Sequence, residues 1–366
     1  MNKHSLVIFT LFLGGSLVSC GCIDLFQDIS MKRITYETHP THITYHITYG
    51  FYLNLTGNGE STITYREDLP DLLSGSILNR TIINQLDGKI KVIGDNEMIF
   101  WNETFHDQQK IFLGISTDVI ALSMLTSDLC GSNAMNLPNI KNMYPHLISS
   151  YCTIQKNETI TFIDPSDPQI KNIAEMVKAK RMTNNSYLIA KDLFLWLKTN
   201  TSYQIHQFDQ RIQPCHETLQ KKTGDCDDLS FLFIALCRAV SIPARFIHGF
   251  LIDAKQTPVT ATPHVWVEVF VGGNVGHKGW IPVECAGAGN IDAEFHQNFG
   301  VEDALHLRLY IDDGSNESLE RYTNHISITY TTGIIIDLDH RMEVSDYNVL
   351  DSKNLCITNG STRTYC

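Results

Sequence analysis

Residues 221–233 read KKTGDCDDLSFLF. A polar stretch closes at Gly224, a thiol stands at Cys226 among Asp225, Asp227 and Asp228, and the chain then turns apolar. Leu229 and the run Phe231 through Leu236 leave hardly a polar break, which marks a helix buried on nearly every side. Ser241-Ile242-Pro243 ends that helix, because the residue before a proline avoids the helical region. The expected unit is a loop, a thiol at a helix start, and a central helix that anchors both. A helix N-terminus favours thiolate through its unpaired N–H groups and its dipole. The aspartates oppose this, since nearby negative charge raises a thiol pKa. A reactive Cys226 therefore needs an imidazolium beside it.

Residues 264–270, HVWVEVF, supply one. Their strict alternation predicts a strand with His264, Trp266, Glu268 and Phe270 on one face and Val265, Val267 and Val269 on the other. Gly272-Gly273-Asn274 turns the chain and residues 279–285, GWIPVEC, run back. In an antiparallel hairpin Glu284 then lies opposite a residue near Trp266 and diagonal to His264, within about 7–8 Å along the backbone. A carboxylate there can hold the imidazole in one tautomer and stabilise its charged form. Glu268 is a poor rival, because four residues along one strand is roughly 13 Å.

These segments, GDCDDLSFLFIALCRAVSIPARFIHGF at 224–250, HVWVEVFV at 264–271 and GWIPVE at 279–284, together resemble the transglutaminase-like superfamily. The resemblance extends over residues 165 to 312 and implies a papain-like fold. It implies Cys226 as nucleophile and His264 as general base and acid, with Glu284 where the family more commonly has aspartate. Ser241-Ile-Pro stands where the family usually has Gly-Ile-Pro. The implied chemistry is acyl transfer through a thioester, with backbone N–H groups at the helix start as oxyanion donors. It requires no cofactor and no metal, and its partner is a protein or peptide substrate. The strand-rich stretch upstream, with GDNEMIFW at 94–101, is similar to the domain that precedes such units in microbial, notably archaeal, members, which favours hydrolysis over crosslinking.

Residues 33–126 alternate β-branched or aromatic residues with polar ones, as in RITYETHPTHITYHITYGFYLNLTG at 33–57, and predict an antiparallel β-sandwich. A catalytic domain is expected over 145–312, with helices first and strands after Pro243. Ser166-Asp167-Pro168 caps one helix, with Ile170, Ile173, Ala174 and Val177 at helical spacing, and a second spans Tyr187 to Lys198. Residues 313–366 read as a C-terminal strand extension, so the whole is α+β.

The first 20 residues form an export signal ending in Leu17-Val18-Ser19-Cys20, which resembles the lipobox of prokaryotic lipoproteins and implies a lipid anchor at Cys20 on the cell surface. Residues 21–32 serve as a linker. Eight Asn-X-Ser/Thr sites, at Asn54, Asn79, Asn102, Asn157, Asn184, Asn200, Asn316 and Asn359, fit a glycosylated surface. A net charge of −12 across 366 residues, with no basic cluster, excludes nucleic acid as partner. Closeness in sequence favours disulfides Cys130–Cys152 and Cys356–Cys366, while a Cys226–Cys285 bridge would switch the site off. The aspartates around Cys226 lack calcium-loop spacing and read as a solvated helix cap with one inward carboxylate. The competing reading is a non-catalytic surface module that binds protein or glycan.

Overall fold

The computed structural model describes residues 32–72, 77–84, 88–205, 211–287, 289–323, 326–330 and 332–366. The export signal, Cys20 and nearly all of the linker lie outside them. Strands dominate the first part of the chain and helices enter after it, giving the expected α+β organisation.

Strand Arg33–Gly57 follows its alternation: Ile43, Tyr45, Ile47, Tyr49, Leu53 and Leu55 are buried. It sits third in a five-stranded sheet of order 362–365, 334–358, 33–57, 109–122, 77–84. A four-stranded sheet of order 326–330, 60–68, 96–106, 89–93 faces it. Ile63, Tyr65, Ile99 and Trp101 from the second sheet share one core with Ile43, Ile47, Leu113 and Ile115 from the first, so the two form a sandwich.

The C-terminal strands do not stand apart as an extension. Ile334–Thr358 pairs antiparallel with Arg33–Gly57 along its whole length, from Arg33↔Thr358 to Gly57↔Ile334. Ile326–Tyr330 joins the edge of the other sheet against Glu60–Asp68. Period-two patterning reveals strands but carries no record of the partner, and here the partner lies at the opposite end of the chain.

The middle of the chain builds a second core. Helix Pro168–Arg181 starts as expected, with the Asp167 carboxylate accepting from the N–H of Gln169 at 2.9 Å and Ile170 at 3.1 Å. Helix Ser186–Asn200 begins two-fold anchored, by the Asn185 side chain accepting from Leu188 N–H at 3.0 Å and by the Ser186 hydroxyl donating to the Met135 and Val271 carbonyls. The central helix, Cys226–Ala239, is buried from Leu229 through Cys237 and packs on Val265, Val267 and Val269. Each large apolar side chain so buried contributes about 1.5–3 kcal/mol. The helix meets a sheet of order 280–283, 260–270, 244–253, 306–311. Phe250, Ile252, Leu307 and Leu309 of that sheet enter the sandwich core, so the two units share apolar contacts directly.

Of the two expected disulfides, Cys356–Cys366 is formed and Cys130–Cys152 is not. Cys130 lies at a turn, its N–H bonded to Asp128 at 2.8 Å, in the neighbourhood of Tyr187 and Lys191. Cys152 ends a short helix beside Arg238 and Cys237. Their neighbours differ entirely, so closeness in sequence does not become contact. Ser241, after the central helix, sits at φ 64°, the left-handed region that glycine occupies without cost.

Candidate active site

Gly224 ends a short strand, Thr223–Gly224, that pairs in parallel with Ser202–Tyr203. A Cβ there would lie 2.5 Å from the Cβ of Asp228, so only glycine lets the strand approach the helix start this closely. Two residues on, Cys226 opens the central helix. The backbone N–H of Val265, the residue bonded to His264, acts on its sulfur from the neighbouring strand. Burial first, then Asp227 and Asp225, push the thiol well above its ordinary pKa, and the Val265 N–H pulls it part of the way back.

The aspartates are less exposed than a solvated cap. Asp227 and Asp228 are both buried, and two carboxyls rather than one face inward. Asp228 accepts from the Gln213 N–H at 2.7 Å, the Gln213 side-chain amide at 2.7 Å and the Asp225 N–H at 3.1 Å. Asp227 accepts from the Asp228 N–H and from the Tyr322 hydroxyl, both at 3.0 Å. Burial and a hydrogen bond with Asp225 raise the Asp227 pKa well above the carboxylate range, which favours its neutral form. The thiol thus faces less negative charge than three aspartates would supply.

His264 lies on an inner strand of the sheet, Thr260–Phe270, with Nε2 2.6 Å from Oε2 of Glu284. Val267 pairs with Val283, so Glu284 falls one step beyond, opposite Trp266, as the hairpin register requires. The second carboxylate oxygen accepts the Ala286 N–H at 2.6 Å. Glu284 is held well below the usual carboxylate range despite burial, first by His264 and then by His306. With Nε2 turned to Glu284, Nδ1 is the His264 nitrogen left for the thiol. Among the described residues no hydrogen bond yet joins the two.

Trp266 walls the site, stacked on the His264 ring at 5.9 Å between centroids. Its indole N–H donates to Glu302 at 2.7 Å, and Glu302 is gripped by Arg308. Glu268 accepts from Arg245 and Arg308, each at 2.7 Å, which removes it as a partner for His264. Cys285 is buried beside Ser230 and Cys237 and is not bridged to Cys226.

Two residues escape the sequence reading. Tyr203, beside Gly224, is pushed up to about 12 by burial and then by Cys226 and Asp225, so a neutral phenol stands in the electrostatic neighbourhood of the thiol. His306 reaches the same Glu284 oxygen as His264, with Nε2 at 3.1 Å, while its Nδ1 lies 2.8 Å from Asp303. The ligand atoms of His264, Glu284 and His306 lie within 4.8 Å of one another, a spacing an ion can span. Both imidazoles nevertheless direct Nε2 at one carboxylate oxygen, so hydrogen bonds account for the cluster without one.

Residues 173–285 match the model of the transglutaminase-like superfamily. The structure resembles a crystal structure described as a candidate cysteine protease from Cytophaga hutchinsonii, with a TM-score of 0.52, 14% identity, and coverage of 92% of this chain and 100% of that one. The periplasmic domain of TgpA from Pseudomonas aeruginosa is more distant, at TM-score 0.33 and 11% identity over 64% of this chain and 86% of that one. No curated protein matches the sequence. At such identities the likeness to solved structures speaks to fold alone. Residues 173–285 thus match the transglutaminase-like superfamily, within a longer α+β chain.

Proposed function

We propose that this protein is an exported cysteine acyl-transfer enzyme, held to the membrane through a lipid at Cys20, that attacks peptide or side-chain amides through Cys226, His264 and Glu284. The observation that carries the reading is the 2.6 Å contact between His264 Nε2 and the Glu284 carboxylate, on the strand whose Val265 N–H pulls the Cys226 thiol downward in pKa. A base oriented by a carboxylate beside a thiol at a helix start is the nucleophile–base–orienter arrangement of amide chemistry.

In the mechanism, the Cys226 sulfur attacks the amide carbonyl as Nδ1 of His264 takes the thiol proton. The oxygen of the tetrahedral adduct takes the negative charge and is met by N–H groups of the helix start, including that of Cys226 itself. Glu284 stabilises the imidazolium. The carbon–nitrogen bond then breaks, His264 returns the proton to the departing amine, and a thioester remains. Water, deprotonated by His264, attacks the thioester, releases a carboxylic acid and restores the thiol. An amine in place of water gives a new amide. Hydrolysis is the favoured outcome.

The upward push on the Cys226 thiol favours the competing reading, a non-catalytic surface module, and the two part in one experiment. One sample of intact protein is alkylated with iodoacetamide, and a separate, unalkylated sample is challenged with a peptide library under acyl-enzyme trapping. The enzyme reading expects a thioester adduct on Cys226 by mass spectrometry, and an alkylation rate that falls in His264→Ala. No adduct, with equal alkylation in both proteins, leaves the binding module.

A further inference from the structure

His306 opens the edge strand His306–Ile311, two strands away from His264 in the sheet. Between them, Gly249 pairs with His264 on one side and Arg308 on the other. A Cβ on Gly249 would strike the Leu307 carbonyl and lie 3.1 Å from the Trp266 ring. The missing side chain lets the rows close up. His306 packs edge-on to Trp266 at 5.0 Å and 5.7 Å from the His264 ring, between centroids.

Both nitrogens of His306 face carboxylates, Asp303 at 2.8 Å and Glu284 at 3.1 Å. A neutral imidazole has one N–H and can donate to only one of them; two donors require the cation. Other charged or titratable groups at the cluster do not replace this one. His39, Tyr347 and Tyr365 approach the Asp303 side. Arg308, on the same strand, is committed to Glu302 and Glu268. His264 and Cys226 lie on the Glu284 side.

We propose that His306 is a charged positioning residue, clamped between Asp303 and Glu284, that fixes the Glu284 carboxylate and lowers the proton affinity of His264 and Cys226. The proposal rests on the triad reading above. Glu284 alone would bind the His264 proton tightly and slow its release to the leaving amine. A second imidazolium on the same oxygen shares that charge. The burial of His306 would disfavour its charge, but Asp303 and Glu284 outweigh this and raise its pKa well above the usual histidine range. It therefore stays charged across the working range.

The sign follows from removing the charge. Without a cation beside Glu284, protons leave both His264 and Cys226 less readily, so reactivity develops at higher pH. The test is the rate of Cys226 alkylation by iodoacetamide from about pH 5 to about pH 10 in wild type, His306→Gln and Asp303→Asn. A charge at this range acting through an effective dielectric of about 20 or more predicts an upward move of about one pH unit in His306→Gln. Asp303→Asn, which leaves every position filled and only loosens the hold on the His306 proton, moves the profile in the same direction by less, and serves if His306→Gln does not fold. Slower labelling at every pH with an unmoved inflection makes His306 merely structural and overturns the proposal, as does an unchanged profile. His264→Ala, run alongside, keeps the two ideas apart: equal labelling there defeats the triad reading whatever His306 does.

Discussion

The reach of Glu284 can be tested to a magnitude. Its backbone is pinned, the N–H to Asn298 at 2.9 Å, and its Oε1 is engaged by Ala286 at 2.6 Å. Replacing it by aspartate, the commoner residue of the family, withdraws the carboxylate by about 1.3 Å, since one methylene is lost. The 2.6 Å contact to His264 would open beyond hydrogen-bond range while the charge remains. Loss of a charged hydrogen bond costs about 1.5–3 kcal/mol, or about 10- to 100-fold in rate. Glu284→Gln goes further. An amide oxygen must serve three N–H groups, those of His264, His306 and Ala286, and the imidazolium loses its counter-charge. At an effective dielectric of about 20 that charge is worth about 4 kcal/mol, so a loss of about 1,000-fold is expected. The assay is kcat/KM on a peptide drawn from the library screen, with the Cys226 alkylation rate as a substrate-free control. The order must be wild type, then Glu284→Asp, then Glu284→Gln. An aspartate variant as fast as wild type refutes the argument from reach, and a glutamine variant as fast removes Glu284 from the chemistry.

Further tests concern stability. Ser241→Gly relieves the left-handed backbone at φ 64° and should stabilise by about 0.5–1 kcal/mol in a denaturant melt, while a loss would reveal an unseen role for the hydroxyl. Glu67 is half-buried and desolvation raises its pKa to about 8, so the folded state holds a proton that the unfolded chain releases above its ordinary value. Stability from this group is present at low pH and drains away as pH rises toward 8; Glu67→Gln should flatten that slope, and parallel stability–pH curves would contradict it. Cys366→Ser opens the bridge to Cys356, a short loop, and should cost about 3 kcal/mol while sparing alkylation of Cys226, an effect that dithiothreitol must reproduce in wild type.

The pairing of His264 with Glu284 was legible because alternation and a two-glycine turn fix which residues oppose each other across a hairpin. Cys226 was legible as a helix start for the same local reason. His306 was not. It meets Glu284 through a strand at the sheet edge, past a glycine in the intervening strand, and nothing near Asp303-Ala-Leu-His306 marks that meeting. One inward carboxyl was expected among the aspartates, and the second was missed because the partners of Asp227 and Asp228, Tyr322 and Gln213, lie outside the motif. The C-terminal strands were seen as strands and misplaced as an appendage, since register over so long a separation is decided by burial and not by local pattern.

The mating of Arg33–Gly57 with Ile334–Thr358 has a consequence for biogenesis. One edge of this strand can pair early with residues 109–122, but the other waits unsatisfied until residues 334–358 have been made. During that wait the helix-containing middle of the chain can condense but lacks the finished platform onto which Phe250 and Leu307 pack. Chains stalled before Ile334–Thr358 is made should thus be clients for holdase chaperones and proteases.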